Sequence, residues 1–420
     1  MGGSRSRRRD VCTGAALVAA LALPASTGAA YAVQAPPGIL ATAPAPPSPS
    51  SDDGAFRTLT PQVRAQVDAA VQRILREAGI PGVIMSLSAP GKGSYERAYG
   101  VADKATGAPM ETGFNTRIGS ETKTFTVTAM LELVDRGALK LDDPIAKYVD
   151  GVPNGGKITL RDLADMRSGL FNYTEDDAFL KALQDAPRRP MTPQQLLDYS
   201  FKHPVNFQPD AQFEYCNTNL ILLGLVVEKA GGQPLADFLR ENVTGPAGLA
   251  DTFLPTGAEF PLPHAQGYTD QGGGPREVNA TDWNPSWAWA AGAMISTVRD
   301  LRSWARTMAT GTLLEPRTQA QRLQPRSKFD ANIAYGMGVF LTNGWIGHNG
   351  SLPGYESVTV YLPEAQATLV LALNTDNVSD GQEPSTLLAQ AITSIVSPQH
   401  VYTVPATPAT PPKPKPSPSS

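Results

Sequence analysis

"IGSETKTFTVTAMLELVDRGALKLDD" occupies Ile118 to Asp143. It places a serine, Ser120, three positions before a lysine, Lys123, where an apolar helical pattern begins. Two readings of the pair compete. Serine in front of an apolar helix is an ordinary N-terminal cap. Alternatively, positions i and i+3 share a helix face, so the Ser120 hydroxyl would lie beside the Lys123 amine. A serine hydroxyl is a weak nucleophile until a base takes its proton. A lysine shielded from water holds its own proton less tightly and can be that base. The helix start would add backbone N–H groups and a partial positive charge for a developing oxyanion. A Ser-x-x-Lys pair arises by chance about once in a chain of this size. The pair alone does not decide.

The 420 residues are 41% hydrophobic and 18% charged. That composition predicts a folded core in one large domain or two intimate ones. A net charge of −4 leaves no basic footprint for nucleic acid. Residues 1–32 read as a secretory signal. Arg5, Arg7, Arg8 and Arg9 precede the apolar run "VCTGAALVAALAL" (Val11 to Leu23), and "AYA" (Ala30 to Ala32) offers small residues for cleavage. Residues 33–54 form a Pro/Ala/Ser-rich linker and 399–420 a Pro-rich tail, both expected to be extended and solvated. The folded domain is expected over 55–398. Cys12 lies in the leader and Cys216 is the other cysteine, so no intrachain disulfide is expected in an exported chain. No later apolar run reaches membrane-span length. The expected location is outside the cytoplasm, in contact with the cell wall or free. His203, His264, His348 and His400 show no ligand spacing, which predicts neither metal nor cofactor. No Gly-x-Ser-x-Gly elbow, P-loop or dinucleotide signature occurs.

Element signals set the fold class. "TPQVRAQVDAAVQRILREAG" (Thr60 to Gly79) has helical periodicity behind a Thr-Pro start. "GVIMSLSAPGKGSYERAYGVAD" (Gly82 to Asp103) reads as two strands around a glycine turn. Helical patterns dominate from Thr122 to about Trp304. "YGMGVFLT" (Tyr335 to Thr342) and the hairpin "ESVTVYLPEAQATLVLALNT" (Glu356 to Thr375) follow, with a last helix over about Glu383–Val396. The prediction is a mixed α/β (α+β) fold. A central antiparallel sheet is drawn from both chain ends and flanked by helices, with an inserted, mostly helical region. The cleft between the two parts is where a site is expected.

Two further stretches give the opening pair its context. Tyr215-Cys216-Asn217 stands immediately before the apolar helix "LILLGLVVEKAGG". His348-Asn349-Gly350 stands just before a predicted strand. Taken singly, Tyr215 is a core tyrosine, Asn217 a cap, His348 a loop histidine and Gly350 a turn residue. Together, in this order and at element boundaries, they resemble the penicillin-recognising serine hydrolases, which carry Ser-x-x-Lys, Tyr-x-Asn and Lys/His-x-Gly. Class C β-lactamases, serine D-Ala-D-Ala carboxypeptidases and related esterases and D-aminopeptidases share this set. "ITLRDLADMRSGLFNYT" (Ile158 to Thr174), "HAQGY" (His264 to Tyr268) and "SWAWAAGAMISTVRDL" (Ser286 to Leu301) are most similar to the secreted actinobacterial-type D-Ala-D-Ala carboxypeptidase. The resemblance covers about Val67 to Ala391 and implies a β-lactamase/transpeptidase-like fold.

The resemblance implies that Ser120 is acylated and that Lys123 helps take its proton. Tyr215 becomes the second proton-transfer group, as a phenolate favoured by nearby positive charge. Asn217 binds the substrate amide and Lys123. His348 serves as hydrogen-bond partner and field source where many relatives carry lysine. Asn349, Gly350 and Ser351 line the substrate, with the backbone N–H groups of Ser120 and Ser351 as oxyanion hole. Trp287 and Phe179 supply aromatic walls. Two departures stand out. Asn349 replaces a threonine, and Phe340 occupies the place of an arginine that grips a terminal carboxylate. Arg326 and Lys328 are the candidates to replace that grip. The leading expectation is a D-Ala-D-Ala carboxypeptidase on peptidoglycan stem peptides, with β-lactams as inhibitors or substrates. Against it stand an esterase or amidase, a β-lactamase, and a non-catalytic penicillin- or cell-wall-binding protein.

Overall fold

The computed structural model describes residues 54–404 except Pro275 and Asp380. The expected leader, nearly all of the linker and residues 405–420 lie outside the described residues. The chain opens with helix α1 (Pro61–Glu77), strands β1 (Gly82–Ala89) and β2 (Gly93–Gly100) and a short strand β3 (Asn115–Arg117). Helix α2 (Thr122–Asp135) follows, and further on α3 (Asn217–Gly231), strand β4 (Ile295–Thr297) and helix α4 (Val298–Thr310). Six strands come next: β5 (Ser327–Lys328), β6 (Ile333–Gly336), β7 (Val339–Thr342), β8 (Trp345–Leu352), β9 (Tyr355–Leu362) and β10 (Ala367–Leu373). Helix α5 (Pro384–Val396) closes the domain.

Eight strands form one sheet in the order β2-β1-β10-β9-β8-β7-β6-β5, each pair antiparallel. β1 and β10, second and third in that order, pair through Val83↔Leu373 and Met85↔Leu371, which joins the two chain ends within one sheet. Alternation along these strands makes two apolar faces. Val83, Met85 and Leu87 with Val358, Val360, Leu369 and Leu371 pack under α1 and α5. Ile84, Val370 and Ala372 face the helical region. The α1 start follows its sequence signal, with Thr60 Oγ1 accepting from Val63 N and Pro61 in the first turn.

Helix α2 carries the opening stretch, and Thr122 through Leu131 are all buried. Its threonines have low helix propensity, but each hydroxyl is used. Thr124 Oγ1 donates to Glu121 O, Thr126 Oγ1 to Ala290 O and Thr128 Oγ1 to Thr124 O. Trp304 of α4 stacks on Phe125 at 4.0 Å and donates its indole N–H to Thr124 Oγ1. The helix is clamped along its length, so its first turn has a fixed position.

Two expectations are corrected. His348-Asn349-Gly350 lies inside β8, not before a strand. Glycines at 344, 347 and 350 lower the strand signal there. Chain packing also continues past 398. Trp345 Nε1 donates to His400 O at 2.6 Å, Asn343 Nδ2 to Val401 O at 2.7 Å, and Tyr402 is fully buried under the sheet. The Tyr402 hydroxyl has no hydrogen-bond partner among the described residues. Tyr402→Ala is expected to cost about 3–5 kcal/mol, whereas Tyr402→Phe leaves stability unchanged or higher. Urea unfolding of both variants checks this.

Candidate active site

Ser120 sits in a 3-10 turn, Gly119–Glu121, that runs straight into α2. The approach to that turn is tight. Gly119 has φ +52°, and a Cβ on it would lie 2.5 Å from Ser351 N. A Cβ on Gly350 would lie 2.0 Å from Ile118 O and 3.0 Å from Ser120 N. Only glycine at both positions lets β8 press its backbone against the Ser120 turn. Ser357 on β9 adds a tie, its hydroxyl donating to Ile118 O at 3.0 Å. The amides of Ser120 and Ser351 are thereby brought to one place.

Lys123 is wholly buried, and its Nζ lies 2.8 Å from Ser120 Oγ and 2.8 Å from Ala291 O. No carboxylate pairs with it among the described residues. Burial pushes its pKa well below the ordinary lysine range. A neutral amine donates one N–H to Ala291 O and turns its lone pair to the Ser120 hydroxyl. That is the arrangement a serine nucleophile needs. The cap reading of Ser120 is not what the structure displays, since no side-chain cap bond is made at this turn.

Tyr215, one residue ahead of the α3 cap at Cys216, lies against the pair. Lys123 Nζ lies 4.9 Å from its ring centroid, and the Ser120 hydroxyl acts on its phenol. Burial raises the Tyr215 pKa far above the usual tyrosine range, and Ser120 offsets this only in part. The expected phenolate is therefore corrected to a neutral phenol, because burial outweighs the hydrogen bond with Ser120. His348 is corrected in the same way. It is 1% exposed, and burial above all lowers its pKa to about 3. Its Nδ1–H donates to Asn349 O, leaving Nε2 to accept from Tyr335 at 3.3 Å. It is a neutral spacer 6.3 Å from the Tyr215 ring, not a source of positive field.

Asn217 begins α3, but its Nδ2 donates to Thr174 Oγ1 at 3.2 Å. The bond expected to Lys123 is made instead by the Ala291 carbonyl, which as a backbone group leaves no signal in sequence. Trp287 is anchored by Tyr173, whose hydroxyl donates to Trp287 O. Phe179 is 1% exposed and packs behind Trp287 at 5.9 Å, against Tyr173 and Tyr199. It backs a wall and does not form one. Phe340 fills the arginine place, 4.8 Å from His348 and 4.8 Å from Tyr335. Arg326 is committed to Asp162, Asp165 and Asp210, so it cannot replace the missing grip. Glu121, directly after the nucleophile, is a residue that sequence reading passed over. It is 1% exposed, and burial raises its pKa to about 8, with the Ser357 and Thr359 hydroxyls offsetting this only in part.

A buried amine activating a serine, with a phenol and two backbone amides around it, defines a serine hydrolase site of the acyl-enzyme kind. Residues 67–392 match the family described as Beta-lactamase, and the chain belongs to that family. It is 24% identical over 310 residues to a putative penicillin-binding protein, PbpX, of Bacillus subtilis, covering 73% of this chain and 74% of the relative. It is 30% identical over 213 residues to the esterase EstB of Burkholderia gladioli, covering 48% and 54%. Among solved structures it is similar to a D-amino acid amidase from Ochrobactrum anthropi complexed with L-phenylalanine amide. The TM-score is 0.71 at 28% identity, covering 80% of this chain and 98% of that one. A D-stereospecific amidohydrolase from Streptomyces gives 0.69 at 29% identity, covering 78% and 97%.

Two measurements test the geometry. Gly350→Ala forces β8 off the Ser120 turn, and kcat should fall about 100-fold or more on any acyl substrate. Glu121 has its folded pKa raised above its unfolded value near 4.5. Its contribution to stability is full below that pH and is lost as pH rises through about 8. Glu121→Gln removes the loss, so the Tm advantage of the variant over the parent should grow between pH 5 and pH 8.

Proposed function

We propose that this chain is an exported serine amidohydrolase that acylates Ser120 with D-configured amino-acyl groups and releases an amine. The neutral Lys123 amine takes the Ser120 proton as Oγ attacks the carbonyl carbon. The backbone N–H groups of Ser120 and Ser351 receive the oxyanion. The Tyr215 phenol hands a proton to the leaving nitrogen and recovers it from water in deacylation, with Lys123 as the store between the two steps. No residue in this scheme needs to be charged at rest, which agrees with the directions in which burial moves Lys123, Tyr215 and His348.

The observation that carries the choice of amidase over carboxypeptidase is Phe340. A D-Ala-D-Ala carboxypeptidase must hold a carboxylate on its leaving group. The strand position expected to do so carries an aromatic ring packed on His348, and Arg326 is tied up elsewhere. The amidohydrolase and amidase neighbours favour the same side, as does the esterase relative. The carboxypeptidase expectation rests on the family and on the penicillin-binding relatives.

The test is a panel of D-alaninamide, a p-nitrophenyl ester and a diacylated D-Ala-D-Ala tripeptide, with mass spectrometry of Ser120. Turnover of the amide and ester with little on the tripeptide is expected, and Ser120→Ala should remove all of it. Dominant tripeptide hydrolysis would refute the amidase assignment. Phe340→Arg should raise kcat/KM on the tripeptide about tenfold while lowering it on the amide.

A further inference from the structure

The edge of β8 that runs past Ser120 is bordered by an acid. β7 pairs with β8 only at Trp345, Ile346 and Gly347, so His348 to Leu352 have no strand beside them on that side. His348 and Gly350 face α2. Alternation sends the Asn349 side chain to the other face, where Nδ2 donates to Glu383 Oε2 at 2.8 Å. Glu383 stands at the N-cap of α5 and is partly exposed. Its charge opposes ionisation of Tyr215, which places it within electrostatic reach of the site.

No lysine, arginine or histidine pairs with Glu383 among the described residues. Its acidic neighbour is Glu356, which lies opposite Ser351 in the β8–β9 register and is 1% exposed. Glu356 Oε2 accepts from Ser385 N at 2.8 Å, while Oε1 has no partner. Burial and the charge of Glu383 push Glu356 well above the carboxylate range. Burial raises Glu383 as well, but the Asn349 amide lowers it again in part, so Glu383 is the member of the pair that gives up its proton first. The other charged or titratable groups that act on the pair are Asp376 on Glu356 and Tyr402, and neither is a cation. A partly exposed residue with its carboxyl beside an open strand edge, and with no cation paired to it among the described residues, suits a cationic group on a ligand.

We infer that Glu383, oriented by Asn349, receives a free ammonium on the substrate, so that amine-bearing acyl donors are chosen over N-acylated ones. This rests on the acyl-serine reading above and assigns its selectivity. An acid at this place also disfavours a carboxylate, the group that a carboxypeptidase must hold.

The experiment measures kcat/KM for D-phenylalanine p-nitroanilide and for its N-acetyl derivative at pH 6.5, with the full chain and with Glu383→Gln. The parent is expected to favour the free amine by tenfold or more, and the variant to lose at least tenfold of that preference, mainly through KM. The ratio is taken within one preparation, so any loss of folded protein cancels. A parent without preference, or a variant with the parent's ratio, overturns the assignment of Glu383 and leaves the acyl-serine reading standing. No turnover of either compound by the parent, with no adduct on Ser120 from a reactive ester, overturns both.

Discussion

The structure depends on one amine deprived of water. Among the described residues Lys123 has no carboxylate to hold its charge, and what packs around it keeps it so. The α2 threonines are tied to backbone carbonyls, Trp304 covers Phe125, and Ala291 offers a carbonyl but no carboxylate. In water a lysine is protonated and useless as a base at neutral pH. Inside this protein the cost of burying the charge exceeds what any neighbour returns, and the proton leaves. Folding energy is thereby converted into basicity at one atom, 2.8 Å from a hydroxyl.

The same environment explains why His348 and Tyr215 are neutral. A site built around charged groups would need each charge paired, and every pair would recharge the lysine. The neutral set avoids this, and orientation is left to hydrogen bonds: His348 to Asn349 O and Tyr335, Lys123 to Ala291 O. The two glycine backbones, Gly119 and Gly350, then bring the strand close enough for amides, not side chains, to meet the developing oxyanion.

Much of this was legible in the sequence because local spacing carries it. Ser120 and Lys123 share a helix face by position alone, and Tyr215 stands at the head of an apolar run. The chain-end strands pair as their patterns suggested, with Val83 opposite Leu373. What escaped reading depends on partners far along the chain. Asn349 meets Glu383 across 34 residues because α5 packs its first turn against the β8–β9 end of the sheet. Ala291 acts through a carbonyl that every residue type possesses. The protonation states of Tyr215 and His348 follow from depth of burial, which motifs do not encode. Phe179 looked like a wall because it is aromatic and near the right place. Its neighbours Tyr173 and Tyr199 show that it is a support.

The segment after α5 has a mechanical consequence. Residues 400–403 hold the turn that launches β8, through the Trp345 indole and the Asn343 amide. Three residues beyond that indole lies His348, and five beyond it Gly350. A pull on the C-terminal end would be felt first at Thr342, the last residue of β7, and at the turn ahead of β8, both of which hold Thr403. Anchoring the protein by that end therefore places tension on the β7–β8 hairpin that carries His348 and Gly350.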